Sequence, residues 1–202
     1  MTSAKIIFSL VLLLLYSLSI HLGTLSGQTL PPLLIIGAVV SMVMVRKGHW
    51  LLLPLIPLSL YILWSSQAAA TFFLLPPVLI NILLTLVFGS TLLPGAKPMI
   101  TQFAQIMKGD LDAKELRYTR QVTIAWVLFF ILMSIETLLL ALFASPFIWS
   151  LFTNFINYLF LFLFFLVEYQ IRISQFTELE HPRFVDFIRS LAKIDPKCIK
   201  TF

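Results

Sequence analysis

Apolar runs close to the length of a membrane crossing alternate with short polar breaks along most of this chain. A helix rises 1.5 Å per residue, so about 20 apolar residues cross roughly 30 Å of hydrocarbon. Such runs fall at residues 6–22, 30–45, 50–66, 72–93, 122–143 and 148–167. They predict an all-α membrane protein: a six-transmembrane-helix bundle making a single integral membrane domain over residues 1–202. Pro31 and Pro32 open the second run, where a missing N–H is tolerated. Pro54 and Pro57 sit inside the third and predict a kink. The fourth run has no sharp start between Thr71 and Pro76, and Ser145-Pro146 predicts a tight turn between the last two. The opening of the second run, Leu30-Pro-Pro-Leu-Leu-Ile35, echoes Leu75-Pro-Pro-Val-Leu-Ile80 in the fourth. Duplicated hairpins would give that echo, and so would chance in a Leu- and Pro-rich chain.

Two longer polar stretches interrupt the pattern: a central loop, 94–121, and a tail, 168–202. In the loop, Met99, Ile100, Phe103, Ile106 and Met107 fall on one helical stripe, with Thr101, Gln102, Gln105 and Lys108 opposite. This predicts an interfacial amphipathic helix, serving either as an anchor for the loop or as a lid over a lipid-substrate site. Asp112 followed three residues on by Glu115 has the spacing of a capping box and predicts a helix running into the fifth span. In the tail, Phe184, Phe187, Ile188 and Leu191 predict a second amphipathic helix over 182–193.

Charge orients the bundle. The 14 Lys and Arg residues comprise Lys5, Arg46 and Lys47, five in the central loop, and six in the tail; the connections 23–29, 65–70 and 144–147 carry none. Basic residues collect on the cytoplasmic side, so both termini are expected there. Trp50, Trp64, Trp126 and Trp149 fall near span ends, where amphipathic rings suit the interface. The run after Lys5 also matches a signal peptide with small residues at Ser17 and Ser19, but it is long for that role and reads as a span.

Composition agrees: 59% hydrophobic, 11% charged, mean hydropathy +0.99. Few soluble domains of this size hide so much apolar surface. A net charge of +5 would raise nucleic acid in a soluble protein, but here the cations sit in loops beside apolar spans and point to membrane lipids as partners. One cysteine excludes an internal disulfide, and three scattered histidines give no metal-ligand spacing. No nucleotide-binding glycine loop, hydrolase elbow or zinc-protease motif is present, so neither cofactor nor metal is expected.

Two groups of polar residues carry the candidate chemistry. Glu136 is the one ionisable residue well inside a predicted span. It costs about 2.5–3.5 kcal/mol to insert, so it should face protein, be paired or be protonated. Asn154 and Asn81 lie at a similar expected depth, and the three predict a polar layer. At the cytoplasmic boundary, Tyr118 and Arg120 precede the fifth span while Glu168, Tyr169 and Arg172 leave the sixth. Glu168 and Arg172 are four apart on one helix face. An Arg120–Glu168 ion pair extended by Arg172 is expected. The cluster reads either as an interfacial ion-pair group or as a site for a phosphate-bearing or acyl substrate.

The same region carries a resemblance. Phe88, Gly89, Thr91, Leu92, Pro94, Gly95, Pro98 and Ile100, then Tyr118, Thr119, Arg120, Thr123 and Trp126, then Glu168, Tyr169 and Arg172 form a pattern over about 75–175. It resembles a family of small uncharacterised bacterial inner-membrane proteins. Ser90 stands where that family carries a basic residue. Members are encoded beside ketosynthases, acyl carrier proteins and acyltransferases of aryl-polyene-type lipid pathways. The resemblance implies the bacterial inner membrane, a role in making or moving a lipid-like product, and acyl-carrier or lipid-synthesis enzymes as partners. It supplies no catalytic residue. The first functional expectation is therefore an accessory protein for an aryl-polyene-like or fatty-acyl product. A membrane enzyme such as an acyltransferase at the cytoplasmic boundary, and a small proton-coupled transporter using Glu136, are the alternatives.

Overall fold

The structure, a computed structural model, describes residues 3–66 and 69–176. The expected tail helix over 182–193 and the cations beyond Arg172 lie outside the described residues. Every described element is helical: α1 Ser3–Ser26, α2 Leu30–Arg46, a 3-10 turn Trp50–Leu52, α3 Leu55–Ser65, α4 Ala69–Ser90, α5 Met99–Lys108, α6 Ala113–Phe143, α7 Pro146–Leu151, a π-turn Phe152–Ile156, and α8 Asn157–Gln175. Among the described residues, three helical stretches are long and apolar enough to cross a membrane: Phe72–Ser90, Ala113–Phe143 and Pro146–Gln175. Val11–Ser26, Leu30–Arg46 and Trp50–Ser65 are shorter apolar helices. The long helices turn large apolar side chains outward, among them Leu83, Leu86, Leu128, Leu132 and Leu142. In water that surface would be costly; in hydrocarbon it is not.

Local chemistry explains most boundaries. Asp112 Oδ1 accepts from the Glu115 N–H at 2.7 Å, and Glu115 Oε2 accepts from the Asp112 N–H at 2.9 Å. This is the expected capping box, and α6 runs from it straight into the apolar stretch. Ser145 caps α7 by accepting from the Ile148 N–H, with Pro146 in the first turn. The third run differs from expectation. Pro54 starts a helix rather than kinking one, and α3 has only 11 residues, about 16 Å. Proline has no N–H to continue an existing helix but suits the first turn of a new one. Conversely, Pro76 and Pro77 lie inside α4, which begins upstream of them at Ala69.

The described chain forms two compact units. Among the described residues, one takes in the chain up to Pro77 together with Thr137–Tyr158, and the other Val78–Glu136 together with residues 159–176. In the first, Ile20, Leu33, Phe73 and Trp149 make the core. Gly37 permits the close approach of α3 to α2, since a Cβ there would stand 2.5 Å from Leu60 Cδ1. In the second, Tyr118, Val122, Trp126, Phe130 and Phe176 make the core. Trp126 and Trp149 are each only 4% exposed, whereas Trp50 and Trp64 are exposed. Trp126 and Trp149 thus pack within the protein, while Trp50 and Trp64 face outward.

Candidate functional site

The second unit positions a short helix over an apolar cavity. The first N–H groups of α5 have no intrahelical acceptor. Thr91 Oγ1 accepts from the Met99 N–H at 3.0 Å, and Thr123 Oγ1 accepts from the Ile100 N–H at 3.2 Å. Each hydroxyl donates onward, Thr91 to the Phe88 carbonyl and Thr123 to the Thr119 carbonyl. Thr101 and Thr119 share a hydrogen bond of 2.8 Å, and Gln102 Nε2 donates to the Lys97 carbonyl at 2.8 Å. All four threonines are buried. At the other end Gly109, at φ +91°, turns the chain, and Lys108 pairs with the buried Glu115. Thr101 and Gln102 face protein while Ile106 and Met107 are exposed. Part of the apolar stripe of α5 therefore points outward, and its polar side docks.

Beneath α5 lies a cavity of about 270 Å³. Ile100, Phe103 and Ala104 contribute from α5, and Leu84 and Phe88 from α4. Trp126 forms much of the aromatic wall, with ring centroids at 4.6 Å from Phe164, 5.2 Å from Phe165, 5.4 Å from Phe130 and 6.2 Å from Phe88. These separations fall within the favourable range for aromatic pairs and make the wall stiff.

The cavity also reaches two charged residues, Glu168 and Arg172. Arg172 Nε donates to Glu168 Oε1 at 3.0 Å, and a second guanidinium nitrogen donates to the same oxygen. The Tyr118 hydroxyl donates to Oε1 at 3.3 Å. Tyr118 lies in the polar first part of α6, ahead of its apolar stretch. Burial, and then the neighbouring Glu168 carboxylate, push its phenol up to about 12, so it remains a donor at neutral pH. Phe176 packs edge-on against Tyr118 at 5.3 Å, and Lys114 sits 4.8 Å over the Phe176 ring. Tyr169 is buried.

Arg120 does not join this group. Its side chain is exposed, and Glu168 pairs with Arg172 instead. The expected Arg120–Glu168 pair is corrected by helix geometry. Arg120 lies two residues beyond Tyr118, about 200° around the axis, so the two cannot face the same partner.

The residues expected to form an intramembrane layer are placed as follows. Glu136 is half-buried with Oε1 enclosed, and Asn81 is half-buried. Asn154 is buried, and its amide donates to the Ser150 carbonyl at 2.9 Å and to the Ser150 hydroxyl at 3.2 Å. Ser150 also meets His21 Nδ1 at 3.1 Å, so Asn154 belongs to a polar chain in the first unit that the sequence reading missed. That unit has its own cavity of about 350 Å³ beside the turn after α1. Its lining includes Trp149 and Thr24 but no charged side chain.

No protein family, curated protein or solved structure matches this chain. The functional reading therefore rests on the site itself. The sequence pointed to Tyr118, Glu168 and Arg172, which the structure brings together. It missed the threonine docking of α5 and the aromatic wall. Tyr118, Val122, Trp126 and Phe130 recur every fourth residue along one face of α6, a signal that was present and unread.

Proposed function

We propose that this protein holds the acyl portion of an amphiphile beneath α5, as a membrane accessory in the assembly or movement of a fatty-acyl or aryl-polyene-like lipid product. The observation carrying this reading is the cavity: aromatic and aliphatic walls ending on an ion pair whose carboxylate side is buried. At about 270 Å³ it lies just below the roughly 300–1,000 Å³ of ordinary ligand pockets. It therefore suits a segment of chain rather than a whole lipid. The fit of α5, with its exposed Ile106 and Met107, supports a lid lying at the membrane surface.

The membrane setting belongs to the same proposal. We read six crossings of a bacterial inner membrane, with both termini cytoplasmic, because every Lys and Arg falls in alternate connections. The three shorter apolar helices supply the remaining crossings. On that reading Glu168 and Arg172 lie at the cytoplasmic boundary, within reach of soluble acyl-carrier partners. An acyltransferase reading would use the same cavity but loses Arg120 from its expected set.

The test is native mass spectrometry of the protein released from membrane-derived nanodiscs. The wild type should retain an acyl amphiphile. Ala104→Phe, which fills the cavity from α5, should release it while leaving thermal stability within a few degrees. Equal lipid retention by a folded Ala104→Phe protein would contradict the proposal.

A further inference from the structure

The five cations of the central loop look alike in the sequence, and the structure divides them. Lys108 pairs with Glu115. Lys114 Nζ donates to the Gln175 carbonyl at 2.9 Å and sits over the Phe176 ring. Lys97 Nζ donates to Gln105 Oε1 at 3.3 Å. Arg117 and Arg120 are exposed, and among the described residues neither meets a hydrogen-bond or ion-pair partner. A guanidinium carries its N–H donors in a planar fork that fits a phosphate.

The position of these two residues on α6 shows what meets them. Arg117, Arg120 and Gln121 share one helix face with Ile124, Leu128 and Ile135, and all six are exposed. The opposite face carries Tyr118, Val122, Trp126 and Phe130 into the core. The outward face thus changes from basic to apolar within about one turn. From Ile124 to the end of α6 at Phe143 is roughly 29 Å, close to the ~30 Å of a hydrocarbon core. Arg120 lies about 6 Å before that stretch, within a head-group layer about 5–7 Å deep. Arg117 lies a turn farther out, and its long side chain can reach back toward the same level.

Charge selects the lipid. Near the arginines the one acid on α6 is Glu115. It stands two residues from Arg117, about 160° around the helix, and is buried against Lys108. The outward face therefore holds two positive charges and no acid of α6. A zwitterionic head group would bring an ammonium there with nothing to pair it. An anionic head group brings only the charge the arginines lack.

We propose that Arg117 and Arg120 hold the phosphodiester of an anionic phospholipid where the outward face of α6 enters hydrocarbon. The phosphate accepts from both guanidiniums, and the acyl chains lie along Ile124 and Leu128. This rests on the membrane setting proposed above and is independent of the acyl cavity.

The experiment reconstitutes the full chain in nanodiscs of equimolar phosphatidylglycerol and phosphatidylcholine with matched acyl chains. Native mass spectrometry then identifies the lipids that stay bound on release. The wild type should retain phosphatidylglycerol roughly tenfold over phosphatidylcholine, the scale expected of two basic residues at a membrane surface. Arg117→Gln/Arg120→Gln should bring the ratio near parity at unchanged thermal stability. Lys47→Gln/Lys97→Gln removes the same charge from exposed positions elsewhere and should keep the ratio. If the arginine double variant misfolds, Arg117→Gln and Arg120→Gln are read singly, and each should lower the ratio about threefold.

A wild-type ratio near parity would overturn the proposal. So would an equal fall in the lysine and arginine variants, because surface charge as a whole would then choose the lipid. Millimolar inorganic phosphate, against chloride at equal ionic strength, should leave the ratio unchanged. If it abolishes the preference, a free phosphate is the ligand and the lipid assignment falls. Failure to enter bilayers of any composition would overturn this proposal together with the membrane reading.

Discussion

At the scale of single residues, the Glu168–Arg172 pair governs the site. Removing one partner of a buried pair leaves an uncompensated charge, which typically costs about 3–5 kcal/mol. Arg172 is a quarter exposed, so Arg172→Met should cost toward the lower end, roughly 3 kcal/mol, in thermal or denaturant unfolding. Arg120→Met, on the exposed side of α6, should stay within about 0.5 kcal/mol. Equal effects would mean that Glu168 is shared between the two arginines. Thr123 offers a second contrast. Thr123→Val keeps the shape but orphans the Ile100 N–H, for a cost of about 1–3 kcal/mol, whereas Thr123→Ser should recover most of it. The same residues show what the sequence could reveal. The i, i+4 spacing of Glu168 and Arg172 was legible because it is local to one helix. The exclusion of Arg120 was legible too, from about 100° of rotation per residue, but only after fixing which face Tyr118 uses. The threonine contacts were not legible, since they join residues 8 to 23 positions apart through a helix whose docked face the sequence leaves open.

At the scale of elements, periodicity located helices well and faces poorly. The stripe on α5 was visible, but in a membrane protein an apolar stripe can face outward as readily as inward, and Ile106 and Met107 do point outward. The capping box behaves differently, because its partners lie three residues apart and tertiary context cannot redirect them easily. Asp112→Ala should cost about 1 kcal/mol and fray the first turn of α6, read as faster amide exchange around Lys114 and Glu115. Unchanged exchange there would show that the tertiary contacts of Glu115 hold the turn without its cap. Proline was the other source of error. Its effect depends on whether a helix precedes it, so Pro54 begins α3 while Pro76 and Pro77 sit inside α4. Sequence alone does not show where the preceding turn ends.

For the whole molecule, the long apolar helices follow directly from composition and run length, because hydrocarbon leaves the backbone few alternatives to a helix. The number and direction of crossings rest on charge. Reporter fusions after Lys47, in the central loop and after Arg172 should report cytoplasm, and fusions near Gly27 and Ser145 the opposite side. A cytoplasmic signal at Ser145 would remove the six-crossing arrangement. The acyl-binding claim has a more direct probe in Trp126, which lines the cavity and is itself buried. With Trp50→Phe, Trp64→Phe and Trp149→Phe in place, Trp126 is the sole indole, and a decan-1-ol analogue brominated along its chain quenches only on contact. The account predicts saturable quenching of Trp126, competed by decan-1-ol and lost in Ala104→Phe. Trp126 fluorescence that stays unchanged at every concentration of the brominated alcohol, in a protein that remains folded, would contradict it.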